Sequence, residues 1–143
     1  VFDLGGRMVE AIFLPGHTRG SVVFYDDLSR LLMSGDDISP NLWIQFEQSA
    51  PLYDYAADLI SLKKLPLSGI VSSHIGYVMP PQLIDWIEFA IASIDDKKAK
   101  VFVHPRTGRR TQLFKIFVDD EAMKPIKKIH IIYDKNHKFS EDE

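Results

Sequence analysis

Leu14-Pro15-Gly16-His17-Thr18-Arg19-Gly20-Ser21 is the stretch that decides how this 143-residue chain is read. Two later stretches repeat its logic: Leu32-Met33-Ser34-Gly35-Asp36-Asp37 and Ser72-Ser73-His74-Ile75-Gly76. In each, an apolar, strand-like run breaks into a tight turn, and a metal-ligand residue stands at the break. Residues 9–14 run into Pro15-Gly16 and deliver His17; residues 30–34 run into Gly35 and deliver Asp36; residues 70–73 end at His74. Strand ends bring side chains from distant parts of a sequence to one edge of a sheet. Two imidazoles and a carboxylate converging there suit zinc or a similar divalent ion. These turns predict a metal site, or a large part of one.

Working outward, residues 9–14 and 21–25 read as strands. The polar turn Asp26-Asp27-Leu28-Ser29 returns residues 30–34 alongside as a hairpin. Residues 41–49, with Trp43 and Phe46, have no clean period and read as a loop over the metal edge. A helix is predicted from about Pro51, with Leu52, Tyr55, Leu59, Leu62 and Leu65 at helical spacing and Pro66 as its stop. A buried strand at 70–73 follows, then a helix over 81–94 whose stripe is Leu83, Trp86, Ile87, Ala90, Ile91 and Ile94. Residues 101–103, 112–118 and 129–133 read as late strands, and 137–143 as a frayed tail. Strands and helices thus alternate on a sheet, which argues an α/β layered unit.

Composition narrows the function classes. With 45% apolar and 11% aromatic residues the chain can fill a core. No run of 18 or more apolar residues offers a membrane-spanning helix. Zero cysteines exclude disulfides and thiolate ligands, so a metal site must use His and carboxylate. Absence of cysteine also suits a cytoplasmic location. The net charge of −3 is unevenly spread: residues 1–93 hold 5 basic and 11 acidic side chains, residues 94–143 hold 12 and 9. An acidic surround helps retain a divalent cation. The basic half carries no recognised nucleic-acid module, and Arg106, Arg109 and Arg110 around Thr107-Gly108 read as a solvated turn. Nucleic acid is therefore disfavoured as a partner.

In order, spacing and turn glycines, residues 2–94 resemble the second half of a metallo-β-lactamase-superfamily hydrolase: a Pro-Gly-His-Thr-x-Gly-Ser turn, a Gly-Asp after the next hairpin, and a final histidine after a short buried strand. The resemblance implies half of a four-layer helix/sheet/sheet/helix sandwich, with residues 1–143 forming the C-terminal portion of a single domain. It also implies that His17 completes one metal site, Asp36 bridges two metals and acts in catalysis, and His74 holds the second. Two zinc ions are implied, with iron or manganese as alternatives. That family's first ligand block, His-x-His-x-Asp-His, is not among these 143 residues, and His104, His130 and His137 form no such cluster. The resemblance therefore implies a fragment that is inactive alone and pairs with an N-terminal half or with a second copy of itself. In such a site, metal-bound water attacks an ester, thioester, lactone, lactam or phosphodiester of a small-molecule substrate.

Competing readings attach to the same residues. Asp37 beside Asp36 reads as a supporting partner or a turn cap. A serine hydrolase built on Ser21 or Ser73 lacks a Gly-x-Ser-x-Gly elbow. Tyr77 and Trp43 lie just beyond His74 and Asp36 and read as substrate contacts or as loop packing. A non-catalytic module keeping the half-fold for partner binding is the rival from another class, and a diiron oxidoreductase on the same scaffold is a third.

Overall fold

The computed structural model describes residues 1–140 and contains two sheets, two helices and one continuous core. The first sheet is built of β1 (Phe2–Asp3), β2 (Met8–Phe13), β3 (Val22–Asp26) and β4 (Leu31–Gly35), joined in antiparallel succession, with β6 (Gly69–Ser72) parallel to β4. The second sheet runs β5 (Asn41–Ile44), β9 (Lys128–Tyr133), β8 (Arg110–Phe117), β7 (Lys100–Val103). Within it β5 and β9 are parallel and the other pairs antiparallel. The mixed α+β architecture agrees with the layered unit expected, but two sheets are present where the resemblance implied one.

The helices form where the apolar spacing places them. In α1 (Leu52–Ser61) the stripe Leu52, Tyr55 and Leu59 is buried and continues into Leu62 of a 3₁₀ turn. In α2 (Leu83–Ala92) Leu83, Ile84, Ile87, Ala90 and Ile91 are buried. They share a core with Val23, Tyr25, Leu32 and Ile70 of the first sheet and Leu42, Ile44, Ile129, Ile131 and Tyr133 of the second. Each such side chain contributes roughly 1.5–3 kcal/mol by leaving water. The other face of the first sheet is open: Phe2, Phe13, Val22, Phe24 and Met33 are exposed, Phe13 by 64%.

Three local expectations are corrected. Residues 41–44 are strand β5 rather than loop, because Leu42 and Ile44 turn into the core and β9 supplies a parallel partner. The tail is docked through residues 137–139: the first-turn amides of Leu52 and Tyr53 donate to the carbonyls of His137 and Lys138, at 3.3 and 3.0 Å. Lys138 Nζ pairs with Asp96 at 2.7 Å and the Phe139 ring packs 4.9 Å from that of Tyr53. Pro51 offers α1 no side-chain cap, so these carbonyls satisfy amides that the helix leaves open. Residues 141–143 of the expected tail lie outside the described residues. Finally, Arg109 is no solvated turn residue. Its guanidinium donates to the Gln45 carbonyl at 3.0 Å and to Asp134 at 2.9 Å, and meets Glu47 at 3.5 Å.

Candidate metal centre

His17 is held first through its backbone. After β2, Leu14 donates to the Ser21 carbonyl (3.0 Å) and Gly16 to that of Thr18 (2.9 Å), closing a compact turn. The loop before α1 clamps it: Ala50 N–H donates to Gly16 and Ser49 Oγ to the His17 carbonyl, at 2.9 and 2.8 Å. A Cβ on Gly16 would stand 2.5 Å from both Asp37 Oδ1 and Tyr55 Cδ2, so only glycine fits. Asp37, 2% exposed, accepts the His17 amide at 2.8 Å, and its own carbonyl accepts the Tyr55 hydroxyl at 2.6 Å. Burial pushes the Asp37 carboxyl up to about 7, and its Oδ2 has no partner among the described residues. The supporting role read for Asp37 is therefore seen as a direct contact to the His17 turn.

Asp36 follows Gly35, whose φ of +56° is a left-handed conformation that glycine adopts without a Cβ clash. The Gly35 carbonyl accepts the Ser73 amide (3.0 Å) and the Ser72 hydroxyl (2.9 Å), tying the end of β4 to that of β6. His74 consequently lies beside Asp36, with Nε2 3.1 Å from Oδ1.

His17, Asp36 and His74 line one cavity of about 540 Å³ together with Ser39, Asn41, Trp43, Phe46 and Ile75. That volume lies in the range of small-molecule sites. His17 Nδ1 donates to the Trp43 carbonyl at 2.7 Å; a carbonyl only accepts, so in the neutral ring Nε2 carries the lone pair. Metal-ligating histidines are typically oriented by such a bond. The donor chemistry therefore fits a hard or borderline divalent ion. Among the described residues, however, no three His, Asp or Glu side chains are grouped closely enough to hold an ion, and Asp36 and His74 pair with each other. The residues fit part of a metal site.

Trp43 lines the cavity; Tyr77 does not. The Ile70–Met79 bridge, with both bonds at 2.8 Å, draws the segment after Gly76 back along β6 and leaves Tyr77 exposed. Sequence reasoning missed His104, whose ring packs 5.7 Å from both Trp43 and Phe46 and extends the aromatic wall. Its position depends on the pairing of β7 with β8, and of β8 with β9, which no local motif announces.

No family model matches the chain. Over 71 residues, 50% of its length, it is 31% identical to the acyl-coenzyme A thioesterase MBLAC2 of Gallus gallus, and equally to those of Bos taurus and Homo sapiens. The match spans about a quarter of the length of those relatives, 26% for the Gallus gallus protein. Among solved structures, a metallo-β-lactamase from Pontibacter korlensis superposes with a TM-score of 0.55 at 22% identity, covering 65% of this chain and 45% of that one. The chain has the metallo-β-lactamase fold. An archaeal metallo-β-lactamase superfamily protein from Sulfolobus tokodaii agrees, with a TM-score of 0.51, 22% identity, and coverage of 72% of this chain and 41% of that one. The superfamily resemblance read from the three turns is thus supported by sequence and by structure. In this metallo-β-lactamase fold, the three turn residues stand where strands of the first sheet end, on the cavity that the second sheet walls.

Proposed function

We propose that this chain supplies His17, Asp36 and His74 to the divalent-metal site of a hydrolase. The observation that carries the reading is their placement, from three separate turns, on one cavity walled by Trp43 and Phe46. Zinc is the ion we assign, in a two-ion site whose remaining ligands come from sequence outside these 143 residues. A bound divalent ion lowers the pKa of water from 15.7 to about 7, which supplies a nucleophile at neutral pH. The chain's own contributions are positional. The Trp43 carbonyl fixes the His17 tautomer, the Asp37 carboxyl fixes the His17 backbone, and the Gly35 turn presents Asp36 beside His74. Trp43 and Phe46 exclude water from one side of the reacting group. Similarity to the thioesterases named above favours an acyl thioester as the bond cleaved.

The open face of the first sheet belongs to the same proposal. A further sheet, not one of this chain's two, covers it, from an N-terminal half carrying the His-x-His-x-Asp-His block or from another copy of this chain. Five exposed large apolar side chains on one face exceed what a soluble monomer usually leaves in water.

The test is a panel of esters, thioesters, lactones and phosphodiesters, with added zinc or manganese, on the protein bearing its natural flanking sequence. Asp36→Ala should lose at least about a hundredfold in rate, some 2.7 kcal/mol of barrier. A variant with full activity refutes the role of Asp36. A wild-type protein that cleaves nothing favours the non-catalytic reading.

A further inference from the structure

The second sheet has two faces, and they differ in kind. Leu42, Ile44, Ile129, Ile131 and Tyr133 point into the core. The opposite parity, starting from the cavity residues Asn41 and Trp43, is fixed by register. Asn41 lies opposite His130, His130 opposite Lys115, and Phe117 opposite Lys128 two residues along. Side chains two apart on a strand and directly paired across strands share a face. Lys115, Lys128 and His130 therefore share their face with the cavity wall, and Lys100, paired through Leu113, lies on it too. Strands are spaced about 4.8 Å apart, so the Lys115 backbone is roughly 10 Å from that of Asn41, within reach of one small molecule.

The charges on this face are set up for an anion. Lys115 Nζ and Lys128 Nζ stand 5.2 and 5.6 Å from the centroid of the same ring, Phe117, which is 69% exposed. Neither ammonium, nor that of Lys100, has a carboxylate within 4 Å among the described residues. Two like charges held beside one ring repel each other, and an anion bound near both relieves that repulsion. Arg109, another cation near the cavity wall, is already committed to Glu47, Asp134 and the Gln45 carbonyl. His130 lies between these lysines and Asn41: burial lowers its pKa first, and the charges of Lys115 and Lys128 lower it further.

We infer that this face is the subsite for the phosphate portion of the cavity's substrate, an organic phosphate whose scissile acyl bond reaches His17, Asp36 and His74 while its phosphates lie on Lys115 and Lys128. This rests on the hydrolase reading of the cavity and narrows it to phosphate-bearing small molecules. Planar parts of such a molecule find Trp43 and His104 on the same face.

The experiment is an equilibrium titration, which needs no turnover, of the protein with its natural flanking sequence. Adenosine 3′,5′-bisphosphate is the probe, with adenosine and a short oligothymidylate as comparisons. The bisphosphate should bind, adenosine should bind at least tenfold more weakly, and the Lys115→Gln/Lys128→Gln double variant should weaken the bisphosphate about tenfold. Lys100→Gln is a second variant on the same face, expected to weaken binding by a smaller factor. Unchanged bisphosphate affinity in both variants overturns the subsite. So does an oligothymidylate that binds far more tightly than the bisphosphate, which would mark a nucleic-acid surface. Hydrolytic activity with no bisphosphate binding sinks this inference alone, whereas bisphosphate binding without any hydrolysis sinks the hydrolase reading and leaves the anion site standing.

Discussion

Replacing Gly16 by alanine should do more harm than any other single-methyl addition in the ligand turns. The new Cβ would lie 2.5 Å from Asp37 Oδ1, 2.5 Å from Tyr55 Cδ2 and 2.8 Å from Cε2, about 1 Å inside ordinary contact distances. Neither neighbour can yield. The Tyr55 ring is fully buried and its hydroxyl is fixed to the Asp37 carbonyl, while the Asp37 carboxyl is fixed to the His17 amide. Overpacking of this kind costs about 2–3 kcal/mol. For a chain of this size that is a fall in melting temperature of roughly 6–12 °C. Gly20→Ala is the control in the same turn, because no atom lies within 4 Å of its added Cβ, and it should stay within about 0.5 kcal/mol of wild type. Urea unfolding of both variants decides the matter. Equal stability for Gly16→Ala and Gly20→Ala would refute the claim that Asp37, Tyr55 and the His17 turn form one rigid unit.

Two further predictions concern parts that brace the site. Lys138, then the Tyr133 hydroxyl, hold the Asp96 carboxyl below its ordinary value of 3.8, so this clamp stabilises the fold above that value and is lost as pH falls below it. Urea unfolding between about pH 5 and 2.5 should therefore show a steeper acid loss for wild type than for Lys138→Ala; parallel curves would rule out the docked tail. Arg109→Ala should cost about 1–2 kcal/mol and speed hydrogen exchange at residues 45–48, and Arg109→Lys should fail to restore protection, since lysine lacks the planar fork. Unchanged exchange in both would mean that Arg109 does not anchor the cavity wall.

The parts of this molecule legible in its sequence are those whose cause is local. Pro15-Gly16, Gly35 and the strand exit at Ser73 mark turns by backbone chemistry, and α1 and α2 announce themselves by apolar spacing. Strand β5 is four residues long, too short for its alternation to stand out, and its partner β9 is remote in sequence. His104 and Arg109 brace the cavity wall only through the register of β7 and β8. The docking of residues 137–138 uses backbone carbonyls, which leave no mark on side-chain identity. Tyr77, adjacent in sequence to the His74 turn, is removed from the cavity lining by a backbone bridge that sequence proximity does not reveal.

Metal affinity tests the central claim most directly. In the protein with its natural flanking sequence, zinc binding measured against a competing chelator should weaken at least about tenfold in each of His17→Ala, Asp36→Ala and His74→Ala, and Tyr77→Ala should bind as wild type does. Wild-type zinc affinity in all three cavity variants would contradict the assignment of these turns to a metal site.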